Sequence, residues 1–246
     1  MKKKLKIKNL IVLLIGFTCI FGIIYSLYNI IIWKVDVDKN NKIKEDIKVN
    51  IVIDNEDNYK IDFKKLKEKN NDTKAYIKVN NTNIDYVVVQ GKDNSYYLNH
   101  NFNKEYNIAG WVFLDYRNKL DGTDKNIIIY GHNTKDNSMF DTLRYVLNKD
   151  WYTNDDNLEI KFITEEKEYI YRVFSTYEIK PEDFYITTSF TGNENYEYFL
   201  NKIKSRSVYD YKVDVDKDDK VLTLSSCLGE GQTRVVLHAK LINEDV

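Results

Sequence analysis

Near its carboxyl end the chain reads VLTLSSC over Val221–Cys227 and RVVLHAKLI over Arg234–Ile242, two largely apolar, β-branched runs joined by LGEGQT. Gly229 and Gly231 in that connection supply the backbone freedom of a turn. Runs of this kind around a short Gly-bearing link predict a pair of neighbouring strands. If they pair as a hairpin, Cys227 ends one strand and Arg234 begins the next, so both project from the same end of a sheet. A guanidinium near a thiol favours the thiolate and can donate to an oxyanion.

Working back from this pair, the same texture recurs. Ala75–Val79 and Ile84–Val89 flank an Asn-rich turn at Asn80–Asn83, and Gly110–Asp115, Lys125–Tyr130, Leu158–Ile163 and Glu168–Ile179 read as further strands. Helical periodicity interrupts them. Asp62–Asn70 predicts a short helix capped by Asp62, Ser95–Asn99 a helical turn, and Ser138–Asn148 a helix with Met139, Phe140, Leu143, Val146 and Leu147 at helix spacing. Asn193–Arg206 places Tyr196, Phe199, Leu200 and Ile203 on one face. Roughly eight strands with few helices predict a mainly β fold, barrel or sandwich, with peripheral helices packed outside.

The amino end is of another character. Lys2, Lys3, Lys4, Lys6 and Lys8 precede Leu10–Trp33, which carries no charge. As a helix that run reaches ~36 Å, enough to cross a ~30 Å hydrocarbon core with some tilt. The lysines predict a cytoplasmic amino terminus, and Tyr25, Tyr28 and Trp33 suit the far interface. The run is longer than a cleaved signal's apolar region and lacks its small-residue cleavage pattern. The expected organisation is a cytoplasmic basic segment (1–9), a transmembrane anchor (10–33), a solvated stalk (34–58) with a short extended piece near Ile47–Ile53, and an extracellular domain (59–246). The protein is then a single-pass protein of the cell membrane.

Composition narrows the chemistry. Lys and Arg number 37 against 38 Asp and Glu, a near balance that argues against a nucleic-acid binder. Two Cys cannot staple a domain of this size, and three His without CxxC or HExxH spacing make a zinc site improbable. Cys19 falls inside the apolar run, so Cys227 is the sole thiol of the outer domain, either buried and inert or kept for its chemistry. Its partner must be a base or acid. His132 follows a strand directly in NIIIYGHN, at a barrel rim where sites are commonly built. His100, in LNHNFN, and His238, in mid-strand, read as structural residues.

YGHN followed by a helix, then TLSSC at a strand end, then Arg opening the last strand, resembles the sortase family of surface-protein transpeptidases. Ile84–Phe102 (IDYVVVQGKDNSYYLNHNF), the helix Asn193–Arg206 and the amino-terminal helix are similar to class B sortases. The resemblance implies an eight-stranded β-barrel preceded by the transmembrane helix, with Cys227 as nucleophile, His132 as acid/base and Arg234 as the cationic helper. It further implies a groove lined by Asn94, Leu98, Tyr185, Ile186 and Ser225, with Tyr130 as a further wall. The implied reaction cleaves a carboxyl-terminal sorting signal of surface proteins through a thioacyl enzyme and passes the acyl group to an amine of a peptidoglycan precursor, in a Gram-positive cell wall, with no cofactor. LSSC replaces the commoner LSTC and the Cys-to-Arg loop is short, departures that bear on substrate choice. A papain-like peptidase has the opposite chain order, Cys before His. A non-enzymatic, membrane-tethered β-domain that binds wall or another ligand accounts for anchor and strands but leaves the Cys, His and Arg unexplained.

Overall fold

The computed structural model describes residues 2–49, 51–54, 58–134, 136–227 and 233–245, with the backbone alone at 2–6, 51–54, 58–59, 227 and 245. Gly229 and Gly231, expected to turn the last hairpin, lie outside the described residues. Among the described residues, four α-helices and ten strands run in the order α1 (Lys2–Lys48), β1 (Ile51–Asp54), β2 (Asn58–Ile61), α2 (Phe63–Lys69), β3 (Thr73–Val79), β4 (Asp85–Val89), β5 (Phe113–Leu114), β6 (Asn126–His132), α3 (Lys149–Tyr152), β7 (Glu159–Thr164), β8 (Glu168–Ile179), α4 (Asn193–Ser205), β9 (Val221–Cys227) and β10 (Arg234–Asp245).

Eight strands close a barrel in the order β10-β8-β7-β3-β4-β5-β6-β9, and β1 pairs with β2 outside it. Closure rests on two pairings of β9. It runs antiparallel to β10, with Val236 opposite Ser225, and parallel to β6 along its whole length, from Asn126 opposite Val221 to His132 opposite Cys227. β6 (NIIIYGH) is buried up to its last residue, as befits a strand covered on both faces. The main core takes Ala75, Ile77, Ile160, Phe162, Leu222, Leu224, Val235 and Leu237. A second core lies on the outer wall, where α4 sets Tyr196, Phe199, Leu200 and Ile203 against Phe174, Tyr177, Val221 and Val236. Alternation along β9 and β10 explains the division: one parity fills the main core, the other meets α4 and its neighbours.

Most elements lie where the sequence puts them. α2 has its expected cap, with the Asp62 carboxylate accepting from the Lys65 N–H at 3.0 Å. Gly110–Asp115 keeps only Phe113–Leu114 as strand, because Trp111 N–H bonds the Tyr97 carbonyl of a loop rather than a neighbouring strand. Ser138–Asn148 is a 3-10 helix over Asp141–Leu147, not an α-helix. Local side chains there compete for the backbone: Asp136 accepts from Ser138 N–H, and Asp141 accepts from Asn137 N–H.

The expected solvated stalk differs most. α1 continues without a break from the apolar run to Lys48, ~70 Å in all at 1.5 Å per residue. Its last third is packed on the barrel. Val37, Asn40, Ile43 and Ile47, spaced for one helical face, are all buried. The Asn40 amide donates to the Gly110 carbonyl (3.0 Å) and to Asn107 Oδ1 (3.2 Å), Asp36 accepts from the Ile108 N–H (2.9 Å), and Lys44 donates to the Asn83 carbonyl (3.1 Å).

Candidate active site

Three strand ends meet at one rim of the barrel. The parallel register sets His132, the last residue of β6, beside Cys227, the last of β9. On the other side of β9 the antiparallel register ends at Val236 opposite Ser225. It is carried one step further by the Ser226 hydroxyl, which accepts from the Val235 N–H at 2.9 Å. Counted on from that register, position 234, the first residue of β10, is the one that corresponds to 227. Positions 132, 227 and 234 therefore stand side by side across three adjacent strands, although 95 residues of chain separate the first two. Residues in register share a sheet face.

The His132 ring is oriented from its back. Nε2 lies 2.6 Å from the Leu98 carbonyl oxygen. A carbonyl only accepts, so Nε2 carries the hydrogen and Nδ1 is the nitrogen left to exchange a proton. Two glycines make this possible. A Cβ on Gly131 would stand 2.6 Å from the Phe140 ring, which closes over the strand, while Phe140 N–H holds the His132 carbonyl at 2.8 Å. Gly110 has φ +60° and passes so close to the Leu98 segment that a Cβ there would fall 2.4 Å from the Tyr97 carbonyl oxygen and 2.7 Å from that of Leu98. Gly110 is also where Asn40 of α1 takes hold. One line of contacts thus runs from α1 through Gly110 and Leu98 to the imidazole.

Arg234, half-buried, donates from a terminal guanidinium nitrogen to the Tyr185 hydroxyl at 3.2 Å, and that hydroxyl lies 3.0 Å from Ser225 Oγ. Tyr185 and Ser225 are both fully buried. Of the residues expected in the groove, these two lie beneath Arg234 and fix its guanidinium. Asn94, Tyr130 and Ile186 converge on a group the sequence reading missed, the buried carboxylate of Asp115. It accepts from Tyr130 OH (2.9 Å), Asn94 Nδ2 (2.8 Å) and Arg117 Nε (2.8 Å), and Arg117 also donates to the Ile186 carbonyl (2.9 Å). Burial pushes the Asp115 carboxyl up, but the hydrogen bonds from Arg117, with those of Tyr130 and Asn94, outweigh it and hold the group below its ordinary value. The bond to Asp115 raises the Arg117 guanidinium in turn. Leu98 is half-buried with its side chain against the core, and its contribution to the site is the carbonyl. The only sequence signal for the Asp115 cluster was an Asp-x-Arg pair in a polar loop.

The other two histidines have structural surroundings. His100 stacks on Tyr96 with ring centroids 4.0 Å apart and bonds the Tyr96 carbonyl. His238 is fully buried on the outer wall, with Nε2 at 2.8 Å from Tyr177 OH and Nδ1 at 2.8 Å from Thr223 Oγ1. Thr223 gives its hydrogen to Asn126 Oδ1 at 2.6 Å. It must therefore accept from His238 Nδ1–H, which leaves Nε2 to accept from Tyr177. The ring is locked neutral: burial, reinforced by the nearby Arg206 charge, lowers its pKa to about 3. Among the described residues no cluster of His, Cys, Asp and Glu could hold a metal ion.

Comparison with known proteins fits this arrangement. Residues 77–242 match the family model described as Sortase domain. Sortase B of Listeria monocytogenes is 38% identical over 186 residues, covering 74% of this chain and 75% of that protein. Among solved structures, a Staphylococcus aureus sortase B–substrate complex superposes with TM-score 0.70 at 37% identity, over 74% of this chain and 84% of that one. Sortase B from B. anthracis gives TM-score 0.75 at 32% identity, over 85% and 99% of the two chains.

Proposed function

The chain belongs to the sortase family, in its class B branch, and is a cysteine transpeptidase; on that premise we propose that Cys227, His132 and Arg234 carry out the transfer, on the outer side of a membrane that α1 spans. The observation that supports this assignment is the parallel register that pairs position 132 with position 227, with Arg234 opening β10 on the other side of β9.

The Cys227 thiolate attacks the carbonyl carbon of the scissile bond in a sorting-signal peptide, and the carbonyl π pair moves onto oxygen. Arg234, held by Tyr185, stabilises that oxyanion. As the oxyanion collapses, the carbon–nitrogen bond breaks and the leaving amine takes the proton from His132 Nδ1. A thioacyl enzyme remains. An incoming amine attacks the thioester carbon and gives its proton back to His132 as the sulfur leaves. The Leu98 carbonyl keeps Nε2 protonated throughout, so the imidazole presents one working nitrogen. Tyr185 and Ser225 act through Arg234, and the Asp115–Arg117 pair fixes the wall formed by Asn94, Tyr130 and Ile186. The likeness to a sortase B complexed with triglycine supports an amino-terminal glycine as one acceptor to try. The partners on this reading are sorting-signal-bearing surface proteins and an amine of the wall precursor.

The test is intact-mass spectrometry of the full-length protein in nanodiscs, incubated with a panel of sorting-signal peptides with and without triglycine. A thioacyl adduct that maps to Cys227 and is discharged to a glycine-extended product is the expected result. An adduct elsewhere, or equal cleavage by Cys227→Ala, would overturn the assignment.

A further inference from the structure

The loop Glu105–Ala109 is fastened to α1 one turn past the apolar run. Asp36 accepts from Ile108 N–H at 2.9 Å, the Asn107 amide donates to the Asp36 carbonyl at 2.9 Å, and Lys39 pairs with Glu105 at 2.8 Å. The polar groups of the loop thus point to the helix. Its two large apolar residues do not join the core: Tyr106 is 66% exposed and Ile108 37%. Both line an open cleft of about 470 Å³ whose remaining walls are Asn29, Ile30, Ile32 and Trp33, the last turn of the uncharged segment. Ile32 and Trp33 are half-buried there, whereas Leu10–Ile31 are exposed along their length. Asp36 lies only ~4.5 Å along the helix axis beyond Trp33, so the loop sits level with the end of the span.

We propose that Tyr106 and Ile108 rest in the headgroup–acyl boundary of the bilayer that holds α1, a second membrane contact beside the span. The proposal rests on reading α1 as the membrane anchor. A tyrosine with an apolar body and a polar tip suits that layer, and the cleft it lines is continuous with the lipid-facing surface of the helix. A single helix would leave the domain free to rotate about its axis and to sway. A second contact on one side of that axis fixes which way the catalytic rim faces.

The test uses the full-length chain in nanodiscs, spin-labelled at one cysteine at a time in a Cys227→Ala background. The native Cys19 reports the span. Tyr106→Cys and Ile108→Cys, with Cys19→Ala added, report the loop. Glu166→Cys, exposed in the β7–β8 turn, whose Glu165 lines a cleft with Val49 just past the end of α1, reports bulk water. Accessibility to oxygen against a water-soluble nickel complex is expected to shift at 106 and 108 from the value at 166 toward that at 19. Labels at 106 and 108 that match 166 while Cys19 reads as deep would overturn the proposal with the anchor intact. A Cys19 label in water would overturn the anchor and the proposal together. Dipolar broadening between labels at 106 would seat a second copy of the chain in the cleft instead of lipid.

Discussion

At the scale of single residues, the imidazole of the site and the imidazole of the outer wall are held by opposite means. His132 has one nitrogen tied to a carbonyl and sits half-buried at a strand end; His238 is fully buried with both nitrogens committed. Gly131 guards the first. In Gly131→Ala the new Cβ meets the Phe140 ring, which is fully buried and cannot yield freely. Overpacking of this kind costs ~1–3 kcal/mol, and turnover is expected to fall by about tenfold, ~1.4 kcal/mol in barrier, as His132 is pushed off Leu98. Denaturant unfolding beside steady-state kinetics checks it, and a variant that loses stability with full turnover would sever His132 from the Phe140 contact. His238 makes itself felt through pH. Its folded pKa is depressed from 6.5 to about 3, so the unfolded chain takes up the proton first and the ring's contribution to stability, complete above pH 6.5, is lost as pH falls toward 3. Asp115, whose folded pKa lies below 3.8, contributes above that value and is lost only at lower pH. Between pH 6.5 and about 4 the slope is therefore expected to approach ~1.4 kcal/mol per pH unit, and to flatten in His238→Gln. Urea unfolding in detergent across that range measures it; the same slope in both proteins would mean that another group takes up the proton.

At the scale of elements, what the sequence made legible follows how locally each element is determined. β8 occupies Glu168–Ile179 and α4 begins at Asn193 as read, because each carries its own periodicity and its own burial face. The last third of α1 was hidden by its polarity. Val37, Asn40, Ile43 and Ile47 form a helical stripe, but Lys and Asp surround it and one of its four members is an amide, so it passed for a spacer. The site divides the same way. Cys227, His132 and Arg234 each end or open a strand and could be picked out one by one, whereas Asp115 acquires its meaning only when Asn94, Arg117 and Tyr130 are brought to it from separate segments. Asn40 shows that the misread element reaches the chemistry. Asn40→Ala strips the Gly110 carbonyl and Asn107 Oδ1 of a donor inside a buried interface, a loss of ~1–3 kcal/mol. Gly110 packs on the carbonyl that aims His132, so kcat is expected to fall several-fold with KM unchanged, and amide exchange at Asn107–Trp111 to quicken. Unchanged kcat with quickened exchange would make α1 a mere fastening.

At the scale of the whole molecule, the barrel closes on the very pairing that builds the candidate site, so positions 132 and 227, the proposed acid and nucleophile, come together only once β6 and β9 lie parallel. The continuous helix then sets where that site stands. Asn40 is ~10 Å along the axis past Trp33, and from Asn40 only Gly110 and Leu98 intervene before His132. On the proposed anchoring, a rigid helix with no spacer would hold the rim near the membrane surface and at one height, so a substrate held in the same bilayer would meet the enzyme in two dimensions. Effective concentration should then dominate the encounter and leave the chemical step untouched. With the full chain in nanodiscs, a sorting peptide that carries an acyl anchor is expected to show a KM, expressed as bulk concentration, ~100-fold below that of the same peptide free in solution, at equal kcat. A flexible Gly-Ser insertion after Trp33 keeps the tether but releases the height, and should recover part of that difference. Equal KM for both peptides with the native helix would show that the fixed height places the rim out of reach of membrane-held chains, and that the long helix serves only to buttress the barrel.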